Sequence, residues 1–189
     1  MPPPAARQAL QQRVAAAILE GAARTLAAQG PGASMSEVAG AAGVARATVY
    51  RYFPSRRALL DELIALGLRE AEERLADARL DEVSAQEAIM RVVRALVEVG
   101  DPFVVLVREK ARPEAFDRIL TGPLAGLFER ARASGDVRAD LPTSWLTEAL
   151  LGLVVSVVGS LPPRGREDTV ATITSLFLDG ARRRGPRPA

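Results

Sequence analysis

Residues 34–57, SMSEVAGAAGVARATVYRYFPSRR, constrain this chain more tightly than any other stretch. Ser34-Met-Ser-Glu37 has capping-box spacing: the serine hydroxyl accepts from the Glu37 amide while the Glu37 carboxylate reaches back. The helix it opens is short, because Gly43 follows only nine residues after Ser34. A second short helix spans about Ala45 to Phe53, and Pro54-Ser55 ends it. Two short helices packed at a steep angle need a small residue at their close approach and a turn residue tolerant of positive φ. Ala39 and, four residues later, Gly43 meet those needs. Val38, Ala42, Val44 and Val49 plug the angle, and Tyr52 is the last, partly buried member. The pattern is a helix-turn-helix.

At about 100° per residue, the second helix divides into two faces. Val49, Phe53 and Tyr52 fall on one side; Ala47 and Arg51 centre the other, flanked by Arg46, Thr48 and Tyr50. An apolar anchor backing a face of donors suits a helix laid in a DNA groove. Arg51 fits guanine O6 and N7, and the Ala47 methyl fits a thymine methyl. Arg46, Thr48, Tyr50 and Tyr52 suit phosphate oxygens, which set register without carrying sequence information. Charge agrees: residues 1–60 hold seven Arg against two Glu, while residues 61–181 hold 14 basic and 21 acidic residues. A basic end on an acidic body points to a polyanionic partner at that end.

The remaining punctuation is helical throughout. A first helix runs from Arg7 to Gln29, with Leu10, Val14, Ile18 and Ala22 as its apolar stripe, and Gly30-Pro31-Gly32 stops it. Ser55 caps a long helix from Arg56 to about Arg79. A second capping box, Ser84 to Glu87, opens a helix to about Val99. Asp101 caps the next, with Pro102 at its first position, ending near Lys110. Arg108, Glu109, Lys110 and Arg112 read as its solvated end. Pro113 to Ser134 is helical with an interruption at Thr121-Gly122-Pro123; Thr143 or Ser144 caps a helix to Ser160; after a loop at 161–165, a last helix runs from about Glu167 to Arg183. No alternating strand pattern occurs. The expected fold is all-α, with about nine helices.

Several function classes drop out. The chain has no cysteine and no histidine, so disulfides, cysteine nucleophiles and histidine acid–base chemistry are excluded, and the ligands zinc prefers are missing. No nucleophile stands beside a base. Glu72-Glu73 and Asp81-Glu82 are surface doublets whose spacing does not converge. No metal or cofactor is expected. The longest apolar run, Ala149 to Leu161, has 13 residues, whereas a membrane-spanning helix needs about 20. The N-terminal residues have no apolar signal-peptide core, and a cytoplasmic protein is expected.

The run from Ser34 to Leu60 resembles the TetR family of transcriptional regulators. Thr48-Val49-Tyr50-Arg51-Tyr52-Phe53-Pro54 is its most specific piece, followed by Ser55-Arg56 and Leu59-Leu60. The resemblance implies phosphate contacts at Ser34, Thr48, Tyr50, Tyr52 and Arg56, and base contacts around Arg46, Ala47 and Arg51. Two positions depart from it. Ala45 stands where the family usually has Ser or Thr, which removes a side-chain cap worth about 0.5–2 kcal/mol, and Ala47 stands where glycine is frequent.

The resemblance also implies a DNA-binding domain at 8–63, a helical effector-binding and dimerisation domain at 64–184, and a disordered tail at 185–189. Its last two helices would pair with their mates in a homodimer through Leu150, Val154, Val157, Ile173 and Phe177. Met90, Phe103, Phe116, Phe128 and Trp145 are candidates to line a pocket for a small-molecule effector; the plainer reading of these five is core packing. The expected function is a ligand-responsive repressor of operator DNA. The alternative is a small-molecule binding protein of the same fold that has lost specific DNA recognition.

Overall fold

The computed structural model describes residues 4–109, 114–160 and 165–182, and among these the chain is helical with no strand. The expected loop at 161–164, Lys110, Arg112 and the tail at 185–189 lie outside the described residues. Helix α1 spans Pro4–Gln29, and a 3-10 turn, Gly30–Gly32, closes it. Helices α2 (Met35–Ala41) and α3 (Arg46–Tyr52) follow, then the long α4 (Arg56–Asp77). The body continues with α5 (Ala85–Val99) and α6 (Asp101–Arg108). Helix α7 starts at Glu114–Phe116, passes through a π turn at Asp117–Thr121 and resumes over Gly122–Ala133. Helices α8 (Thr143–Ser160) and α9 (Arg166–Ala181) complete the chain.

Helix α1 packs on α2, and α2 on α3, while α4 leads from this unit into the body, where it lies against α5 and α6. The long central α5 is covered by α4, α7, α8 and α9. Its seven fully or nearly buried residues, from Ala88 to Val99, follow helical spacing, so one stripe closes the body's core. Phe103, Phe116 and Phe128 are among the largest fully buried side chains, and Phe128 packs against Phe177 with ring centroids 5.6 Å apart. The α1–α2 crossing is closer than the sequence reveals. A Cβ on Gly21 would stand 2.8 Å from the Ala42 amide nitrogen, so α1 has no room for a side chain there.

Four local expectations are corrected. Asp101 does not cap α6: Gly100 takes that place, without a side-chain bond, and Asp101 becomes the first helical residue. Its half-buried carboxyl is pushed above the usual carboxylate range by burial, an effect that Arg24 opposes. The second capping box is half formed. Ser84 accepts from the Glu87 amide, but the Glu87 carboxylate pairs with Arg91 at 2.9 Å instead of reaching back. Neither Thr143 nor Ser144 caps α8. The Trp145 and Leu146 amides donate to the Pro142 carbonyl, and the Thr143 hydroxyl bonds Glu129. Pro123 does not interrupt α7. A proline ring collides with the carbonyl four residues before it in a regular helix; the π turn from Asp117 to Thr121 widens the helix where that clash would fall.

Candidate nucleic-acid interface

The interface begins with the Ser34 cap. The Ser34 amide donates to Glu37 Oε2 at 2.8 Å, the Ser34 hydroxyl donates to the same oxygen at 2.7 Å, and the Glu37 amide donates to Ser34 Oγ at 3.2 Å. Both halves of the box are made, so α2 is fixed at its first turn. The Ser34 amide, then its hydroxyl, hold the Glu37 carboxyl below its usual range, and Gln29 adds to this. At the other end, Gly43 has a φ of +67°, the left-handed conformation that glycine adopts without penalty. The Val44 amide then returns to the Ala39 carbonyl. The turn redirects the chain into α3, whose N-cap, Ala45, makes no side-chain bond.

Helix α3 is anchored by Val49, which is fully buried, with Phe53 buried and Tyr52 half-buried beside it. Arg46, Ala47, Tyr50 and Arg51 are exposed, and Thr48 is half-buried at the margin. The outward face is ordered internally. The Arg46 guanidinium lies 5.4 Å from the Tyr50 ring centre and donates to the Tyr50 hydroxyl at 3.4 Å, and Arg51 lies 5.4 Å from the Tyr52 ring centre. Neither arginine faces a carboxylate among the described residues, so both charges remain open to an anion. By contrast, Arg24 is tied to Glu20 and to the Ala41 carbonyl, and Arg57 pairs with Asp61.

Arg56, expected at phosphate, is 36% exposed at its side chain and has partners within the protein. It donates to the Pro31 carbonyl at 2.8 Å and stands 3.9 Å from the Glu109 carboxylate. Arg108 next to it donates to the Ala27 carbonyl. The end of α6, read from sequence as solvated, is therefore a strap between the body and the DNA-facing unit. One-letter charge patterns give no sign of this, because the carbonyl acceptors of Ala27 and Pro31 carry no side-chain signature.

The body candidates separate. Phe103, Phe116 and Phe128 are packed in the core, Met90 is half-buried on α5, and Trp145 is 69% exposed. Trp145 therefore does not join the three phenylalanines. The residues expected at a dimer interface mostly face inward as well: Leu150, Val154, Ile173 and Phe177 are buried within one protomer, and Val157 is half-buried. Helix α8 is apolar nearly all round, with Glu148 its one charged residue, so hydropathy alone marks its two faces poorly. The structure places Leu146, Leu150, Leu151 and Val154 inward and Trp145, Glu148, Ala149, Gly152 and Ser156 outward. On α9 the exposed side carries Ala171, Thr172, Ser175 and Leu176, the last 56% exposed.

Comparison with known proteins agrees with this geometry. Residues 18–63 match the family profile described as bacterial regulatory proteins, tetR family. The chain is 32% identical over 160 residues to the HTH-type transcriptional repressor LfrR of Mycolicibacterium smegmatis, covering 82% of each chain. It is 28% identical over 162 residues to the HTH-type transcriptional regulator NfxB of Pseudomonas aeruginosa, covering 80% of this chain and 86% of NfxB. Its fold superposes on the crystal structure of LfrR in complex with proflavine with a TM-score of 0.65 at 25% identity, over 90% of this chain and 97% of the other. A helix-turn-helix with a donor-bearing outer face, joined by a long helix to an all-helical body, and a relative matched over four-fifths of its length lead to one assignment: the chain belongs to the TetR family of transcriptional regulators.

Proposed function

We propose that this protein is a homodimeric repressor that leaves its operator when a small, largely apolar effector enters the body. The observation that carries the reading is the outward face of α3, where Arg46 and Arg51 stand without carboxylate partners over Tyr50 and Tyr52. In this reading α3 lies in the major groove. Arg46 and Ala47, in its first turn, meet base edges, while Ser34, Thr48, Tyr50 and Tyr52 hold phosphates. Arg56 keeps α4 in register with the α1–α2 turn. The domains divide at about residue 63, within α4, and the protein works in the cytoplasm without catalysis or cofactor.

The similarity to LfrR, a named repressor also solved with proflavine, supports an effector-released repressor. The body supports an apolar ligand: among the described residues its buried polar side chains are only Thr147 and Thr174. Dimerisation is supported by the exposed side of α8 and α9, where Trp145 and Leu176 stand beside Ala149, Gly152, Ala171 and Ser175. These small residues let helices approach closely, and Glu148 is the one charged residue of α8 on that side. Two recognition helices must also meet successive major grooves about 34–36 Å apart.

Selection from a random-sequence duplex pool, followed by binding titrations on the selected duplex, tests the reading. Enrichment of a palindromic sequence bound with steep salt dependence is expected. Equal affinity for selected and random duplex would leave the protein as a small-molecule binder without operator recognition.

A further inference from the structure

Helix α1 begins well before it meets the rest of the DNA-facing unit. Residues 6–13 are all exposed, and Leu10, expected to open the buried stripe, is 62% exposed. One side of this overhang, carrying Arg7, Leu10, Gln11 and Val14, faces the last turn of α3 across an open cleft of about 670 Å³. Arg51 and Tyr52 form the opposite wall. Arg7 and Arg51 have no carboxylate partner among the described residues, so the cleft is positively charged, with Leu10 and Val14 as apolar lining and Gln11 as a neutral donor.

Arg51 also sits in the wrong place for a base reader. In a helix-turn-helix the N-terminal residues of the recognition helix approach base edges. At 1.5 Å rise per residue, Arg51 lies about 7 Å farther along α3 than Arg46. Its guanidinium lies over the Tyr52 ring, on the wall of the cleft. A strand bordering the groove that α3 occupies presents alternating phosphates and deoxyriboses, which match the cleft's arginines and its apolar lining.

We infer that the α1 overhang and the end of α3 form a clamp for the sugar–phosphate backbone of one operator strand, with Arg7 and Arg51 binding phosphate and Gln11 assisting. Arg51 is then a backbone residue, and base reading falls to Arg46 and Ala47. The inference rests on the proposed entry of α3 into the major groove.

The test uses the full chain and a duplex selected from a random pool, with single-base variants of that duplex, titrated between about 50 and 200 mM salt. Arg7→Ala and Arg51→Ala should each lower the slope of log affinity against log salt by about 0.9 per lost contact, hence about 1.8 in a dimer. A fourfold rise in salt then costs each variant about 12-fold less affinity than the wild type. All duplexes should weaken by the same factor, leaving base preference unchanged. Arg7→Lys should retain the slope. Arg13→Ala, on the same overhang but away from the cleft, should leave it unchanged. The inference is overturned if Arg51→Ala relaxes preference at one base pair at constant slope, or if Arg7→Ala behaves like Arg13→Ala. In either case the wild type still prefers its selected duplex. A wild type that prefers none removes the operator reading itself, and the clamp with it.

Discussion

Helices α3 and α8 are both half-buried, yet their faces are built on different principles. On α3 the two sides differ in chemistry: Val49 and Phe53 inward, Arg46, Tyr50 and Arg51 outward. On α8 the sides differ mainly in size: Leu146, Leu150, Leu151 and Val154 inward, and Ala149, Gly152 and Ser156 outward beside Trp145 and a single charged residue, Glu148. A face that must meet a polyanion announces itself in residue type. One suited to a second apolar helix is marked only by smallness, because small residues let helices approach closely, and that mark is lost in a chain so rich in alanine.

The sharpest way to break the comparison is at Leu150, which is fully buried within the protomer. Leu150→Ala should cost about 2–5 kcal/mol of protomer stability through the lost transfer energy and the cavity left behind. Denaturant unfolding read at several protein concentrations checks it. If the loss appeared only as weaker association, the inward side of α8 would be the interface and the assignment of faces would fall.

Trp145→Ala is the complementary change. The side chain is mostly exposed, so the protomer's unfolding should hardly move. As a large aromatic on the proposed dimer face, it should weaken association by about 2 kcal/mol or more, roughly 30-fold in the dimer dissociation constant. Sedimentation equilibrium reads this directly. Unchanged association would show that Trp145 lies off the interface.

On α3, Arg46→Ala should cost about 1–3 kcal/mol of operator affinity and relax preference at one base pair. Binding measured on the selected duplex and its single-base variants separates this from a uniform loss. A uniform loss would make Arg46 a phosphate contact and leave base reading without an arginine.

The helices and the helix-turn-helix were legible because each is written in local chemistry: Ser34 with Glu37, Gly43 at positive φ, Val49 and Phe53 at helical spacing. Where legibility failed, the deciding partner was remote. Arg56 meets the Pro31 carbonyl and Glu109, and Arg108 meets the Ala27 carbonyl, across 25 to 81 residues of chain. The half-made box at Ser84 failed for a nearer reason: Arg91, one helical turn beyond Glu87, competes for its carboxylate. Pro123 looked like a stop because a π turn is not written in a proline's own neighbourhood.

The two serine caps carry the smallest effect and set the two regions side by side once more. Ser34→Ala removes a hydroxyl that both accepts from the Glu37 amide and donates to its carboxylate, whereas Ser84→Ala removes only an acceptor. Each should cost about 1 kcal/mol of stability at neutral pH. Their pH dependence should differ. The Glu37 carboxyl is held down in the folded protein by the Ser34 amide and hydroxyl, so its contribution is complete above the unfolded carboxylate value of about 4.3. It is lost as pH falls through the depressed folded value. The cost of Ser34→Ala should therefore shrink between pH 7 and about 3, since the variant has already lost part of what acid removes from the wild type. The cost of Ser84→Ala should change less, because its hydroxyl touches no carboxylate. Thermal melts of both variants across that range decide it, and parallel curves would mean that the bond from the Ser34 hydroxyl to the Glu37 carboxylate does not operate in solution.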